Sequence, residues 1–157
     1  MKLICITGAK NSKKHLLAMS LANNSDCIWI KPYTDKKFSR DNPLDDMYIP
    51  MNSQQLTHKM EREVPLVVVE LEEVRYVFFE NQLHADFVVL IGDDRVASYL
   101  RNEWDGELIT VKCHSDSEEF SERNKMLDKE FDIAFNYDND DVDDLILEIG
   151  GFYDCGE

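Results

Sequence analysis

A loop near the start of the chain gathers residues suited to holding a phosphate group. Its sequence is Gly8-Ala9-Lys10-Asn11-Ser12-Lys13-Lys14-His15, here called the phosphate loop, and it has three lysines within five positions. Backbone N–H groups at the start of a helix form an anion site, and lysines add positive charge to it. The whole chain carries 17 basic and 32 acidic residues, so a local cluster of lysines stands out. The loop predicts phosphate binding; the alternative is a polar connection with solvated lysines.

The spacing of this loop partly matches the P-loop pattern GxxxxGK[ST]. Gly8 occupies the first glycine position and Lys14 the lysine position. Lys13 replaces the second glycine, which normally lets the backbone approach the phosphates, and His15 replaces the hydroxyl residue that binds magnesium. We assign phosphate binding to seven residues of the loop: Gly8, Lys10, Asn11, Ser12, Lys13, Lys14 and His15.

Predicted strands and helices alternate around this loop. The predicted strands are residues 2–7, 27–31, 66–71, 87–91, 108–112 and 131–135, and the predicted helices are 15–22, 53–63, 72–84, 94–104, 117–128 and 141–149, the last ended by Gly150-Gly151. This order favours an α/β fold with a parallel sheet of about five strands. We expect strands 2–7 and 66–71 to be adjacent and central. The 157 residues predict a single domain, with residues 32–63 as a substrate-binding insertion.

A carboxylate ends one of the predicted apolar strands. Glu70 follows the run Leu66-Val67-Val68-Val69, and an acidic residue in this position beside a phosphate loop can hold the magnesium shell, as in the Walker B arrangement. The alternative is an ordinary strand-end glutamate that leads into Glu72-Glu73. Both interpretations stay open on the sequence alone.

Several segments resemble phage-type deoxynucleoside monophosphate kinases. The phosphate loop is similar to the G-x-K-x-S-G-K-D of that family, and Asp93-Asp94-Arg95 is similar to its D-V-R. The acidic segment 114–122 resembles its H-x-S-E, and residues 132–138 resemble its D-x-V-I-x-N-D-G. The resemblance implies a three-layer P-loop kinase-like fold and transfer of the γ-phosphate of ATP, with Mg²⁺, to a nucleoside or deoxynucleoside monophosphate.

The middle of the chain resembles the related guanylate kinases. Residues 33–40 look like their S-x-T-T-R-x-x-R, and residues 48–53 look like their Y-x-F-V-S. In that family these segments grip the nucleoside monophosphate. The resemblance therefore implies acceptor contacts from Tyr33, Thr34, Lys37, Arg40 and Tyr48, together with Glu70.

Phosphoryl transfer needs positioning and charge neutralisation rather than a nucleophilic side chain. Lys14 would contact the β- and γ-phosphates, and Arg95 and Arg101 would clamp the transferring group. Glu70 would be the metal-side carboxylate. For Arg95 and Arg101 the alternative is a solvated helix face.

The charge of the chain limits its partners. A net charge of −15 repels nucleic acid and anionic membranes, so we expect no direct binding to either. No apolar run approaches the roughly 20 residues that span a bilayer, and the four cysteines form no CxxC pair. These features predict a cytoplasmic protein that binds a nucleotide.

A second class of function also fits this composition. Lys13 and His15 depart from the P-loop pattern, which suits a catalytically inactive protein on a kinase scaffold. Its acidic segments 116–122 and 138–144 would then engage a basic host protein, as a phage-type inhibitor or DNA mimic does. The alternative is that acidic segments are solvated faces.

Overall fold

The computed structural model describes residues 2–9, 12–24, 26–37, 47–116 and 131–154. The chain divides into two compact units, the first formed by Met1–Trp29 together with Ala85–Glu157 and the second by Ile30–His84. In sequence, the second unit is thus inserted between the two segments that form the first unit. It contains all of segment 32–63, the predicted insertion, and continues to His84.

The described elements alternate in the first unit and are mainly strands in the second. In chain order they are β1 (Lys2–Thr7), α1 (Lys14–Asn24), β2 (Cys27–Trp29), β3 (Tyr33–Thr34), β4 (Ile49–Pro50), α2 (Ser53–Arg62), β5 (Pro65–Leu71), β6 (Val74–Phe79), a short 3-10 helix (Glu80–Gln82), β7 (Phe87–Ile91), α3 (Asp94–Glu103), β8 (Glu107–His114), β9 (Ile133–Asn136) and α4 (Val142–Asp154). The predicted strand 2–7 matches β1 at both ends, and the predicted helix 53–63 matches α2 within one residue.

The first unit contains a five-stranded parallel sheet in the order β2-β7-β1-β8-β9. Strand β1 lies at its centre, between β7 and β8, and all of its residues after Lys2 are buried. A strand covered on both faces needs apolar side chains at successive positions, which Leu3-Ile4-Cys5-Ile6 supplies. The predicted α/β fold with about five parallel strands is confirmed.

Helices cover both faces of this sheet. Helices α1 and α4 contribute Leu17, Leu21 and Leu145 to one core cluster, which also contains Ile4 and Ile6 of β1. Helix α3 contacts β1 and β8, and its buried residues lie outside that cluster. Because side chains alternate along a strand, α3 packs on the opposite face, and the unit has three layers.

The second unit is a four-stranded sheet in the order β4-β3-β6-β5, with β3–β6 and β5–β6 paired antiparallel and β3–β4 paired parallel. Helix α2 packs on it through Leu56, which joins Val77 and Phe79 in a small core. The Asn52 side chain accepts from the Gln55 amide and the Gln55 side chain accepts from the Asn52 amide, so a capping box begins this helix.

The predicted position of strand 66–71 is wrong. This segment is β5, an end strand of the second sheet that pairs only with β6 among the described strands. The neighbours of β1 are β7 and β8. Glu70 therefore lies near the end of a hairpin strand of the second sheet and not in a parallel strand next to β1, which was the position that suggested a magnesium role.

One predicted helix and the end of another are also wrong. Residues 72–84 form a tight turn, β6 and the short 3-10 helix, because Glu72 and Glu73 take positive φ angles of 52° and 68° and reverse the chain. Helix α4 continues through Gly150 and Gly151 to Asp154. The predicted helix 117–128 lies outside the described residues.

Candidate phosphate-binding site

The phosphate loop leaves the carboxyl end of the central strand, where parallel sheets usually bind ligands. At its start the backbone is too crowded for a side chain at Gly8. A Cβ there would lie 2.3 Å from Ser12 Oγ and 2.8 Å from the carbonyl oxygen of Cys113 in β8. Gly8 thus lets the loop fold back over the end of β8.

Ser12 ties the loop to itself and to β8. Its amide donates to the Ala9 carbonyl at 3.1 Å, and its carbonyl accepts from the Cys113 thiol at 3.2 Å. The hydroxyls of Ser12 and Thr7 are buried without a hydrogen-bond partner among the described residues. A buried polar group without a partner costs about 1–3 kcal/mol, so these two hydroxyls are suited to a water or ligand in the loop.

Lys13 keeps the backbone shape that the pattern assigns to glycine. Its φ is 64°, in the left-handed region, which a residue with a side chain adopts at a cost of about 1–2 kcal/mol. The Lys13 ammonium donates to Asp138 after β9. Hydrogen bonding within this pair raises the pKa of Lys13 and lowers the pKa of Asp138.

Asp138 is itself held in place by neighbouring loops. Its second carboxylate oxygen accepts from the Asp116 amide at 2.8 Å, and its own amide donates to Asn136 Oδ1 at 2.9 Å. The Tyr137 amide donates to the His114 carbonyl at 2.8 Å. The segments that follow β1, β8 and β9 are therefore joined at one edge of the sheet.

Helix α1 begins directly after this turn. The Leu17 amide donates to the Lys13 carbonyl at 3.1 Å, so the amides before Leu17 lack intrahelical acceptors. The first turn of α1 holds no acidic residue, whereas α2 and α3 begin at Asn52 and Asp93 side-chain caps. The positive end of the α1 dipole is thus left for an anion.

Lys14 lies at this helix start and folds back over the loop. Its ammonium donates to the Gly8 carbonyl at 2.9 Å, and burial lowers the pKa of the ammonium. His15, the next residue of α1, is partly exposed. The structure thus brings together Gly8, Ser12, Lys13, Lys14 and His15, whereas Lys10 and Asn11 lie outside the described residues.

Asp93 follows β7, the strand that neighbours β1. The Gly92 amide donates to the Ile6 carbonyl at 3.0 Å, which places Asp93 at the same sheet edge as the phosphate loop. Asp93 caps α3 by accepting from the amides of Arg95 and Val96. The sequence places Asp93 in a D-V-R-like segment but predicts no role for it at the site, because residues 66–71 are expected there to be the neighbour of β1.

The two predicted clamp arginines each contact other side chains of the first unit. Arg95 folds onto Asp93, with its Nε and Nη2 at 3.0 and 2.5 Å from Asp93 Oδ2. Arg101 donates to Thr110 Oγ1 at 3.3 Å and lies over the Phe131 ring. Arg95 therefore lies at the sheet edge of the loop, whereas Arg101 contacts the middle of β8.

The predicted acceptor residues belong to the second unit. Tyr33 packs edge-on against Phe79, and the Tyr48 ring lies 5.5 Å from the Tyr76 ring, where burial raises the pKa of Tyr48. Thr34 is buried and accepts from the Lys36 amide. Lys37 is exposed, Arg40 lies outside the described residues, and Glu70 is exposed opposite Arg75.

Arg75 organises this unit and carries no sequence signal. Its side chain donates to Asp35 at 2.9 Å, to Thr57 Oγ1 at 3.0 Å and to the Ser53 carbonyl at 2.9 Å. Burial alone would raise the pKa of Asp35, but hydrogen bonds from Arg75 lower it overall. The network joins α2, β6 and the segment after β3.

The described residues include no group of three or more histidine, cysteine, aspartate or glutamate side chains placed to hold a metal ion. None of the described helices has the length and apolar character needed to cross a membrane.

Comparison with known proteins supports the fold. No protein-family model matches the chain, and no curated protein matches it. A solved structure, guanylate kinase from Anaplasma phagocytophilum, aligns with a TM-score of 0.67 over 99% of this chain and 85% of that chain, at 10% sequence identity. At this identity the likeness concerns the fold alone. The chain has a guanylate-kinase-like P-loop fold, and the resemblance to guanylate kinases is confirmed at that level.

Proposed function

We propose that the chain binds a nucleoside triphosphate at the phosphate loop and transfers its γ-phosphoryl group to a nucleoside or deoxynucleoside monophosphate. The observation that carries the proposal is the conformation of Lys13. Although the second glycine of the pattern is missing, the backbone at this position keeps a left-handed φ of 64°. The loop thus retains the turn that leads into the start of α1.

The residues of the first unit have distinct roles in this proposal. Amides at the start of α1 would bind the β- and γ-phosphates. Lys14 would exchange the Gly8 carbonyl for a phosphate oxygen, which is the stronger acceptor for an ammonium group. Arg95 would leave Asp93 to contact the transferring group. An oxygen of the acceptor phosphate attacks the γ-phosphorus, and the bond to the β,γ-bridging oxygen breaks, releasing the diphosphate.

Magnesium would enter with the triphosphate. Among the described residues, the side chains at the loop do not form a magnesium site: His15 offers no hydroxyl, and the Asp93 carboxylate is already bound by the start of α3 and by Arg95. Magnesium keeps several waters and is commonly held largely by substrate phosphates. We therefore propose that the nucleotide carries the magnesium ion and that Glu70 is not one of its ligands.

Acceptor binding is proposed for the second unit. Tyr33, Lys37 and Tyr48 would contact the monophosphate, with Arg40 as a further cation, and the buried Thr34 would position the segment by accepting from the Lys36 amide. The close Tyr48 and Tyr76 rings supply an aromatic surface with phenolic hydrogen-bond donors, as a phosphate or base requires.

A non-catalytic nucleotide-binding protein is the second candidate. It is favoured by the pairing of Arg95 with Asp93 and by the lack of a hydroxyl at His15. Engagement of a basic host protein stays a prediction from the acidic composition.

Two measurements test the proposal. Calorimetric titration with ATP, with and without magnesium, should show binding that Lys14→Ala weakens by about 1–3 kcal/mol, or roughly fivefold to 150-fold. Lys2→Ala is the matched control, because Lys2 lies at the other end of β1. A coupled assay over the common monophosphates should then show turnover. ATP binding without turnover would favour the second candidate, and absence of ATP binding would contradict both.

A further inference from the structure

The second glycine position of the phosphate loop is occupied by a lysine whose ammonium group forms an ion pair. Lys13 takes a left-handed backbone, and its ammonium donates to Asp138, 125 positions later in the chain. Glycine would adopt this backbone without strain. The ion pair is therefore the feature that distinguishes Lys13 from the residue it replaces.

The Asp138 carboxylate places a negative charge next to the phosphate loop, where an anion would bind. Its carboxylate is held there by the Asp116 amide, and its backbone is fixed by Asn136. Asp116 adds a second carboxylate close enough to act on the Lys13 ammonium. Unless it is neutralised, such a carboxylate repels a phosphate that approaches the loop.

We propose that Lys13 and Asp138 form a matched pair in which the ammonium neutralises the carboxylate for an incoming triphosphate. This inference rests on the proposed nucleotide binding. It makes lysine, rather than glycine, the functional residue at this position of the loop. Lys13 is then a positioning and charge-compensating residue, and its presence is not simply the loss of a functional glycine.

The substitution that restores the P-loop glycine should lower the affinity for phosphate rather than raise it. Lys13→Gly relieves the backbone strain but exposes the charge of Asp138, so it should weaken phosphate binding. Removal of the carboxylate as well should restore the local charge of wild type and, with it, the wild-type affinity. Asp138→Asn suits this purpose because its side-chain oxygen still accepts from the Asp116 amide.

The experiment uses the full chain in four forms: wild type, Lys13→Gly, Asp138→Asn and the double variant. Each is titrated calorimetrically with ATP and with tripolyphosphate. Lys13→Gly should weaken binding about threefold to tenfold, whereas the double variant, which has the same local charge as wild type, should bind within about twofold of wild type. The loss should shrink as salt is raised to about 0.5 M, because salt screens exposed charges.

Two other patterns would overturn the proposal. A double variant that binds as weakly as Lys13→Gly would show that Lys13 binds phosphate directly. Tighter binding by Lys13→Gly than by wild type would show that the lysine has only replaced a functional glycine. NMR titration of the Asp138 carboxylate provides a ligand-free measurement: Lys13→Gly should raise its pKa toward the ordinary value of about 3.9, and an unchanged pKa would also overturn the proposal.

Failure of the proposed function gives a different result. If wild type binds neither ATP nor tripolyphosphate, nucleotide binding is wrong and the inferred role of the pair falls with it. A Lys13-dependent titration of Asp138 would then show that the ion pair itself is present.

Discussion

Arg75 and Asp35 join two segments of the second unit that are 40 positions apart. The Arg75 amide donates to one carboxylate oxygen of Asp35 and the Arg75 Nε donates to the other, each at 2.9 Å. The Asp35 side chain is 7% exposed and that of Arg75 is 20% exposed. This pair fixes the segment that carries Tyr33 and Lys37.

Asp35→Asn should lower the free energy of unfolding by about 1–3 kcal/mol, because hydrogen bonds to a charged, mostly buried group are lost. Urea denaturation measures the effect. Glu61→Gln is the control within the same unit, since Glu61 is exposed on α2. Equal stability of Asp35→Asn and wild type would show that the pair contributes nothing.

The same pair predicts a pH dependence. The pKa of Asp35 is lower in the folded protein than its ordinary value, so the carboxylate contributes stability above the unfolded pKa and loses it as pH falls through the folded pKa. The stability difference between wild type and Asp35→Asn should be constant near neutral pH and shrink below about pH 4. Denaturation series from about pH 7 to 3 measure it; a difference that grows on acidification contradicts the assignment.

The turn between β5 and β6 offers a stabilising substitution. Glu72 and Glu73 both have positive φ, as the central residues of a type I′ hairpin turn do, and Asn-Gly is favoured there. Glu72→Asn with Glu73→Gly should raise the free energy of unfolding by about 1–2 kcal/mol. The control pair Glu72→Gln and Glu73→Gln removes the charges without relieving the backbone; equal stabilisation by both pairs would attribute the effect to charge.

Gly8 and Gly106 provide a comparison of crowded glycines. A Cβ at Gly8 would meet the Cys113 carbonyl at 2.8 Å, whereas at Gly106 it would meet the Trp104 side chain at 2.9 Å. Backbone cannot move aside as a side chain can, so Gly8→Ala should cost about 1–3 kcal/mol and Gly106→Ala less. Thermal unfolding ranks the two variants, and a reversed order would contradict this account of the loop.

The sequence predicts the central sheet because its strands are apolar at successive positions. It misplaces β5 for the same reason: the run at 66–71 is equally apolar, yet Val68 and Leu71 are 46% and 40% exposed in the hairpin. An apolar run alone does not distinguish a buried parallel strand from an end strand. The Glu72-Glu73 turn lacks the glycine or asparagine that would have indicated a hairpin.

In the phosphate loop, too, some features follow from the local sequence and others depend on residues far along the chain. Gly8 and Lys14 are recognisable from spacing alone. The pairing of Lys13 with Asp138, like that of Arg75 with Asp35, joins positions far apart in the chain and becomes visible only when the sheet brings the strand ends together. Arg101 could not be distinguished from Arg95 in sequence because both lie on α3, and only the fold shows that Arg101 contacts the middle of β8.

The last prediction concerns whether Arg95 acts on the substrate or only on Asp93. Both side chains are about half exposed, so their ion pair contributes little to stability, and Arg95→Lys should leave the unfolding midpoint nearly unchanged. If Arg95 clamps the transferring phosphoryl group, the same substitution should lower kcat by about a hundredfold or more, because lysine lacks the planar pair of donors. Asp93→Asn is the matched variant: asparagine caps a helix as well as aspartate does but holds Arg95 more weakly, so kcat should be retained or raised. Coupled kinetics with separate kcat and KM values, together with urea denaturation, test all three proteins. Full activity of Arg95→Lys would assign Arg95 to the ion pair alone and remove it from the proposed mechanism.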